Sequence, residues 1–114
     1  MSLNTDSAGR RKFPRRRFRR EVGCLYRGLY QVIRAAEIGE GGMSFVTDQK
    51  MAEGESAVVS FQMPKGTFFS LMVVVRNQRE KDGMFVYGCS FSKITFECKR
   101  EIRSFVTART TVEH

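Results

Sequence analysis

The chain has no tryptophan, only two prolines and a single histidine, and its three cysteines are odd in number. Each scarcity excludes something. Cys24, Cys89 and Cys98 share no C-x-x-C spacing, and the only imidazole is His114 at the far end. No zinc site can be written from that set, so the thiols read as small buried groups of a reducing compartment. One terminal histidine also leaves no serine or cysteine with an evident base partner, and the carboxylates are scattered without a defensible acid–base pair. An enzyme is therefore the least expected class. No apolar run approaches the ~20 residues a membrane helix needs. The opening Met1 to Gly9 is polar and lacks the apolar core of a signal peptide. These absences predict a cytoplasmic protein with no membrane span, no metal and no cofactor.

Positive charge is plentiful, and its placement is uneven. The net charge is +8 over 114 residues, but residues 1–20 hold eight basic side chains against Asp6 alone, which is +7 and leaves +1 for the rest. A basic arm on a nearly neutral body suggests a local anion site rather than a coat for polyanions. Nucleic-acid binding is accordingly not expected, because the body adds almost no field and few aromatic platforms lie near the arm. A hydrophobic content of 41% over this length suits one domain with one core.

The pattern along the chain divides it into a flexible basic arm (1–20), a folded body (21–109) and a short tail (110–114). Pro14 disfavours helix at Phe13, so the arm should approach the body extended. Short strands then follow closely, at Val22–Arg27, Tyr30–Ala36, Met43–Thr47, Ser56–Met63, Phe68–Arg79 and Met84–Phe91. Arg27-Gly28 and Asp82-Gly83 carry turn signals, the second of the hairpin kind. Cys98, Ile102, Phe105 and Val106 fall at i, i+4, i+7 and i+8, one face of a helix that Ser92 or Thr95 could cap. Six strands and a terminal helix predict a mainly β protein, a small antiparallel barrel closed by the helix.

Two segments carry chemistry. The first is Arg15-Arg16-Arg17-Phe18-Arg19-Arg20. Guanidinium groups fork onto phosphate oxygens and stack on purine faces, while Phe18 can anchor the segment to the body. The second is Glu37-Ile38-Gly39-Glu40-Gly41-Gly42. Its glycines allow close backbone approach, and a carboxylate can accept from the N–H edge of a guanine. Taken singly, the first also reads as a solvated basic tail and the second as a plain turn.

Together the segments resemble the PilZ domain, a six-stranded bacterial barrel that binds cyclic di-GMP. That family places R-x-x-x-R ahead of its first strand and [D/N]-x-S-x-x-G about twenty residues later. Arg16 to Arg20 is the preferred register here, with Arg15 just before it, and Arg15 to Arg19 is the alternative. Tyr87-Gly88-Cys89-Ser90-Phe91 is similar to the family's late strand, and Val73-Val74-Val75-Arg76 to the one before it. The resemblance implies a non-catalytic receptor whose arm closes on cyclic di-GMP. In that reading Arg16 and Arg20 hold phosphate and guanine, Arg15 supports a second stacked ligand, and Glu37, Gly39 and Gly42 form the opposing wall. It also implies a protein partner in a motility, biofilm or secretion pathway. A module that binds such a partner without nucleotide is the alternative. The second motif departs from the family at two places, Glu37 for Asp or Asn and Gly39 for Ser. The expected result is weakened binding, restored by Gly39→Ser and abolished by Arg20→Ala.

Overall fold

The computed structural model describes residues 14–64 and 66–108. Most of the expected arm and the whole of the expected tail lie outside those residues. Among the described residues, seven strands and one helix follow in chain order: β1 (Arg15–Arg17), β2 (Glu21–Tyr26), β3 (Leu29–Gly39), β4 (Gly42–Thr47), β5 (Ser56–Gln62), β6 (Phe68–Lys81), β7 (Met84–Phe91) and α1 (Phe96–Thr107). All pairings are antiparallel. Strands β2 to β7 run round in the order β3-β2-β5-β6-β7-β4, and β4 pairs back onto β3. That pairing closes a six-stranded barrel, which leaves the strands in the ring no open edge.

Two hairpins are fixed by backbone sign. Arg27 (φ 52°) with Gly28 (φ 78°) joins β2 to β3, and Asp82 (φ 55°) with Gly83 (φ 79°) joins β6 to β7. Two consecutive positive φ values match the right-handed twist of the flanking strands, and glycine adopts them without a Cβ penalty.

Alternate residues of each strand fill the interior, with Met43, Phe45, Val59, Val73, Val75 and Tyr87 fully enclosed. The helix covers one end. Thr95 caps it, its side-chain oxygen accepting from the Cys98 amide at 3.1 Å, which satisfies an otherwise orphaned N–H of the first turn. Cys98 and Ile102 of the expected apolar face are buried, while Phe105 and Val106 are partly buried against the core. Burial pushes the Cys24 thiol up to about 11 and those of Cys89 and Cys98 up to about 12. Thiols held so far above neutrality are inert packing groups.

The barrel takes in more of the chain than expected. Residues Arg15 to Arg17 form a strand paired with β3, and Phe18 is 2% exposed. Its ring meets Phe61 and Phe105 edge-on at 5.7 Å each. The expected division at residue 20 thus passes inside a region that pairs and packs with the body. An arginine run shows no apolar alternation, so this strand owes its existence to tertiary pairing rather than to its own pattern.

Candidate anion-binding cleft

Strand β1 lies along the last residues of β3, with Arg15 opposite Gly39, Arg16 opposite Ile38 and Arg17 opposite Glu37. Side chains alternate across a strand, so Arg15 and Arg17 share the outer face with Glu37 and Gly39, while Arg16 shares the inner face with the fully buried Ile38. On that inner side the Arg16 Nη1 donates to the Phe105 carbonyl at 2.7 Å, and its guanidinium lies 4.3 Å from the Phe105 ring centre. One strand therefore aims arginines in two directions, and only one direction is open.

A β-bulge sets which residues of β3 join the outer face. Register slips between Ala35 and Glu37. Before the slip, Ile33 and Ala35 point inward and Arg34 outward; after it, Ile38 points inward and Glu37 outward. Uninterrupted alternation from Arg34 would have turned Glu37 into the barrel. The extra residue thus delivers a carboxylate to the surface, a common use of bulges beside functional sites. Backbone bonds secure the place: the Phe18 amide donates to the Ala36 carbonyl at 2.8 Å and the Ala35 amide to the Arg20 carbonyl at 2.8 Å.

The result is a cleft of about 900 Å³ on the outside of the barrel, near the upper end for small-ligand sites. Its floor is made of small groups, Ala36, Gly39, Ser44, Gly88 and Ser90 among them. One wall carries Arg15, Arg17, Arg19 and Arg34, with Glu37 beside them. The other carries Arg76, Asn77 and Arg79 from β6. Six guanidiniums thus surround one carboxylate, a field suited to a multiply charged anion.

Of the expected site residues, Arg15, Glu37 and Gly39 line this cleft, whereas Arg16, Arg20 and Gly42 do not. Arg16 is turned away by strand parity. Arg20 is exposed, with its guanidinium 5.9 Å from the Phe18 ring centre. Gly42 packs against β7, where a Cβ would collide with the Cys89 carbonyl. The four-residue spacing therefore reaches the cleft as Arg15 to Arg19, the alternative register. Gly39 has a packing role of its own: a Cβ there would stand 2.7 Å from the Pro14 carbonyl oxygen, so the missing side chain admits β1. Arg34, Asn77 and Arg79 were not singled out as site residues; Arg34 faces outward by plain alternation, while the bulge that aims Asn77 and Arg79 leaves no mark on composition.

Behind the cleft, the corner between β3 and β4 is tied to the helix. Glu40 is 6% exposed and accepts from Arg103 at 2.8 and 2.9 Å. The hydrogen bonds from Arg103 hold the Glu40 carboxyl below its ordinary range, against an opposing push from burial. Among the described residues, no cluster of three or more His, Cys, Asp or Glu is placed to hold a metal ion, and no helix is long and apolar enough to cross a membrane.

The PilZ domain family model matches residues 9–108, nearly the whole chain and both arginine-bearing and glycine-bearing segments. The chain belongs to the PilZ domain family. Its barrel is similar to that of MotI/DgrA, the inhibitor of motility of Bacillus subtilis, at a TM-score of 0.77 and 16% identity over 84% of this chain and 49% of that one. It is also similar to the PilZ domain of YcgR from Escherichia coli, solved with c-di-GMP, at a TM-score of 0.69 and 16% identity over 85% and 88%. The third is MrkH of K. pneumonia in complex with c-di-GMP, at a TM-score of 0.65 and 18% identity over 83% and 49%. The chain thus spans about half the length of MotI and MrkH. No curated protein matches it by sequence comparison.

Proposed function

We propose that this PilZ domain is a non-catalytic receptor for cyclic di-GMP, which it binds in the arginine-walled cleft outside the barrel. One observation supports the reading above the rest: β1 and the bulged end of β3 bring Arg15, Arg17 and Arg19 to the same surface as Glu37 and Gly39. Guanidiniums fork onto phosphate oxygens and stack on guanine, and a carboxylate accepts from the guanine N–H edge. A ligand with two phosphates and two purines calls for that set. Arg15 and Arg19 take the roles of the family's paired arginines. Arg16 instead anchors β1 to the helix.

Calorimetry with cyclic di-GMP tests both the function and the register. Wild type should bind, and the same titration reads whether one ligand or a stacked pair is taken. Arg19→Ala should lose about ten- to a hundredfold in affinity, the worth of one charge-assisted hydrogen bond. Arg20→Ala should stay within about threefold of wild type, as a surface charge outside the cleft acts only through a screened field. Absence of heat at high micromolar protein would remove the reading, and a loss confined to Arg20→Ala would restore the other register.

A second reading draws on the barrel's far side. Leu25, Tyr30, Val32 and Met72 are 43–62% exposed there, and an uncharged apolar patch suits contact with a protein. In this reading the domain docks a partner through that patch with or without nucleotide. Pull-down in the presence and absence of cyclic di-GMP separates the two, since a receptor changes its partner with ligand.

A further inference from the structure

The cleft has a second wall that neither family motif accounts for. It is built by the same device as the first. Register slips in β6 between Val75 and Asn77, directly across the cleft from the slip in β3. Val73 and Val75 point into the core, and continued alternation would send Asn77 inward as well. The bulge instead places Asn77 opposite Gly88 and Arg79 opposite Val86, on the outer face. From Arg76 to Lys81 every residue is exposed, so this end of β6 has left the core and has no packing duty there.

Two further details suggest a built wall. The Arg76 Nε donates to the Ser90 Oγ at 2.8 Å, which braces that guanidinium against β7. Position 88 carries no side chain, and the Asn77 carboxamide lies over it, within 2.6 Å of where a Cβ would be. Three strand spacings separate β6 from β3, roughly 14 Å at about 4.8 Å each. A single nucleotide held at the β1–β3 wall would leave the β6 wall unused, whereas a bridged dinucleotide can reach both.

We infer that Arg76, Asn77 and Arg79 form a second half-site that holds the other nucleotide half of the ligand. This rests on the cleft being a cyclic dinucleotide site. Arg76 and Arg79 supply donors for a phosphate, and the Asn77 carboxamide, with a donor and an acceptor, pairs with a base edge. The half-site is a determinant of affinity that lies wholly outside the two motif segments.

Calorimetry of the full chain with cyclic di-GMP tests it on five proteins: wild type, Arg19→Ala, Arg79→Gln, Asn77→Ala and Lys81→Gln. Lys81 sits on the same exposed hairpin with the same charge but does not line the cleft. Arg79→Gln should weaken binding by about ten- to a hundredfold and Asn77→Ala by about three- to tenfold. Lys81→Gln should remain within about threefold of wild type, because a remote charge contributes only a screened field. All three positions are exposed, so unchanged circular dichroism should accompany the losses. If Arg19→Ala is weak while Arg79→Gln and Asn77→Ala bind as wild type does, the half-site falls and the receptor stands. Equal losses for Arg79→Gln and Lys81→Gln would reduce the wall to a general field and overturn it too. If wild type itself binds no cyclic di-GMP, the receptor reading fails and takes the half-site with it.

Discussion

The barrel has two outer faces built on the same alternation, and they differ almost completely. On the face formed by β1, β3, β4, β7 and β6, six arginines ring a floor of glycine, serine and alanine. On the face formed by the first half of β3 with β2, β5 and β6, cross-strand neighbours are Tyr30 beside Leu25, Leu25 beside Val58 and Val58 beside Met72. Strand β3 serves both faces: its outward side chains change from Tyr30 and Val32 to Arg34 just before the bulge, and the bulge then adds Glu37. What sets the faces apart is backbone irregularity. The apolar face has unbroken register, while each wall of the cleft contains a slip. Register that never slips keeps hydrophobic and polar positions apart; a single inserted residue reverses them locally. The cleft is thus purchased with disrupted ladder, and the barrel keeps its closure elsewhere.

The cleft face should also depend on the plug beside β1. Phe18 packs on Phe61 and Phe105 next to the Arg16 bond to the Phe105 carbonyl, so its ring helps to hold β1 in place. Phe18→Ala should cost about 3–5 kcal/mol in urea unfolding, the usual loss for an enclosed aromatic. In hydrogen exchange the amides of β1 and the end of β3 should lose protection well before those of β2 and β5. Equal loss on both faces would show that Phe18 supports the whole barrel rather than one side of it.

A smaller break comes from Gly39→Ser. From sequence alone the added hydroxyl is expected to tighten binding by restoring the family residue. The geometry reverses that sign, because the new Cβ would stand 2.7 Å from the Pro14 carbonyl oxygen and 3.1 Å from the Arg15 side chain. Backbone cannot yield as a flexible side chain can, so β1 must shift. A stability loss of about 1–3 kcal/mol is expected, with weaker cyclic di-GMP binding as Arg15 and Arg17 are displaced. Tighter binding in calorimetry with an unchanged urea midpoint would reinstate the hydroxyl as a ligand contact.

The strands of the body were legible because burial on one face writes period two into the sequence. Met84–Phe91 was read without error, and Ser56 to Met63 differs from the observed strand by one residue. The helix was legible through Cys98 and Ile102, which are its two buried residues. The family was legible too, and of the expected site residues Arg15, Glu37 and Gly39 line the candidate cleft. What the sequence hid was phase. Three arginines in a row carry no parity, so nothing in them says that Arg16 turns to the Phe105 carbonyl while Arg15 and Arg17 turn outward. The bulge in β6 hid most of the far wall in the same way, because Asn77 and Arg79 read as the plain end of a long strand. Glycine at position 39 read only as a lost ligand contact, and its packing against Pro14 left no sign in the sequence.

Acid gives the finest test of the contrast between faces. The patch formed by Leu25, Tyr30, Val32 and Met72 contains no group that titrates in acid, whereas the corner beside the cleft is held by Glu40 and Arg103. Arg103 keeps the Glu40 carboxyl below the ordinary carboxylate value of 4.5 in the folded protein. A carboxyl whose folded pKa is depressed binds its proton more readily when unfolded, so its contribution is complete above the unfolded value. It is lost as pH falls through the folded value, below 4.5. Other carboxylates, Glu55 and Glu101 among them, are lowered as well, so the stability of wild type alone does not isolate the corner. The difference between wild type and Glu40→Gln does. That gap in urea midpoint should be widest near neutral pH and close as pH drops below about 4.5. A gap that stays constant across that range would mean that Glu40 holds the corner by shape and hydrogen bonding alone, with its charge contributing nothing.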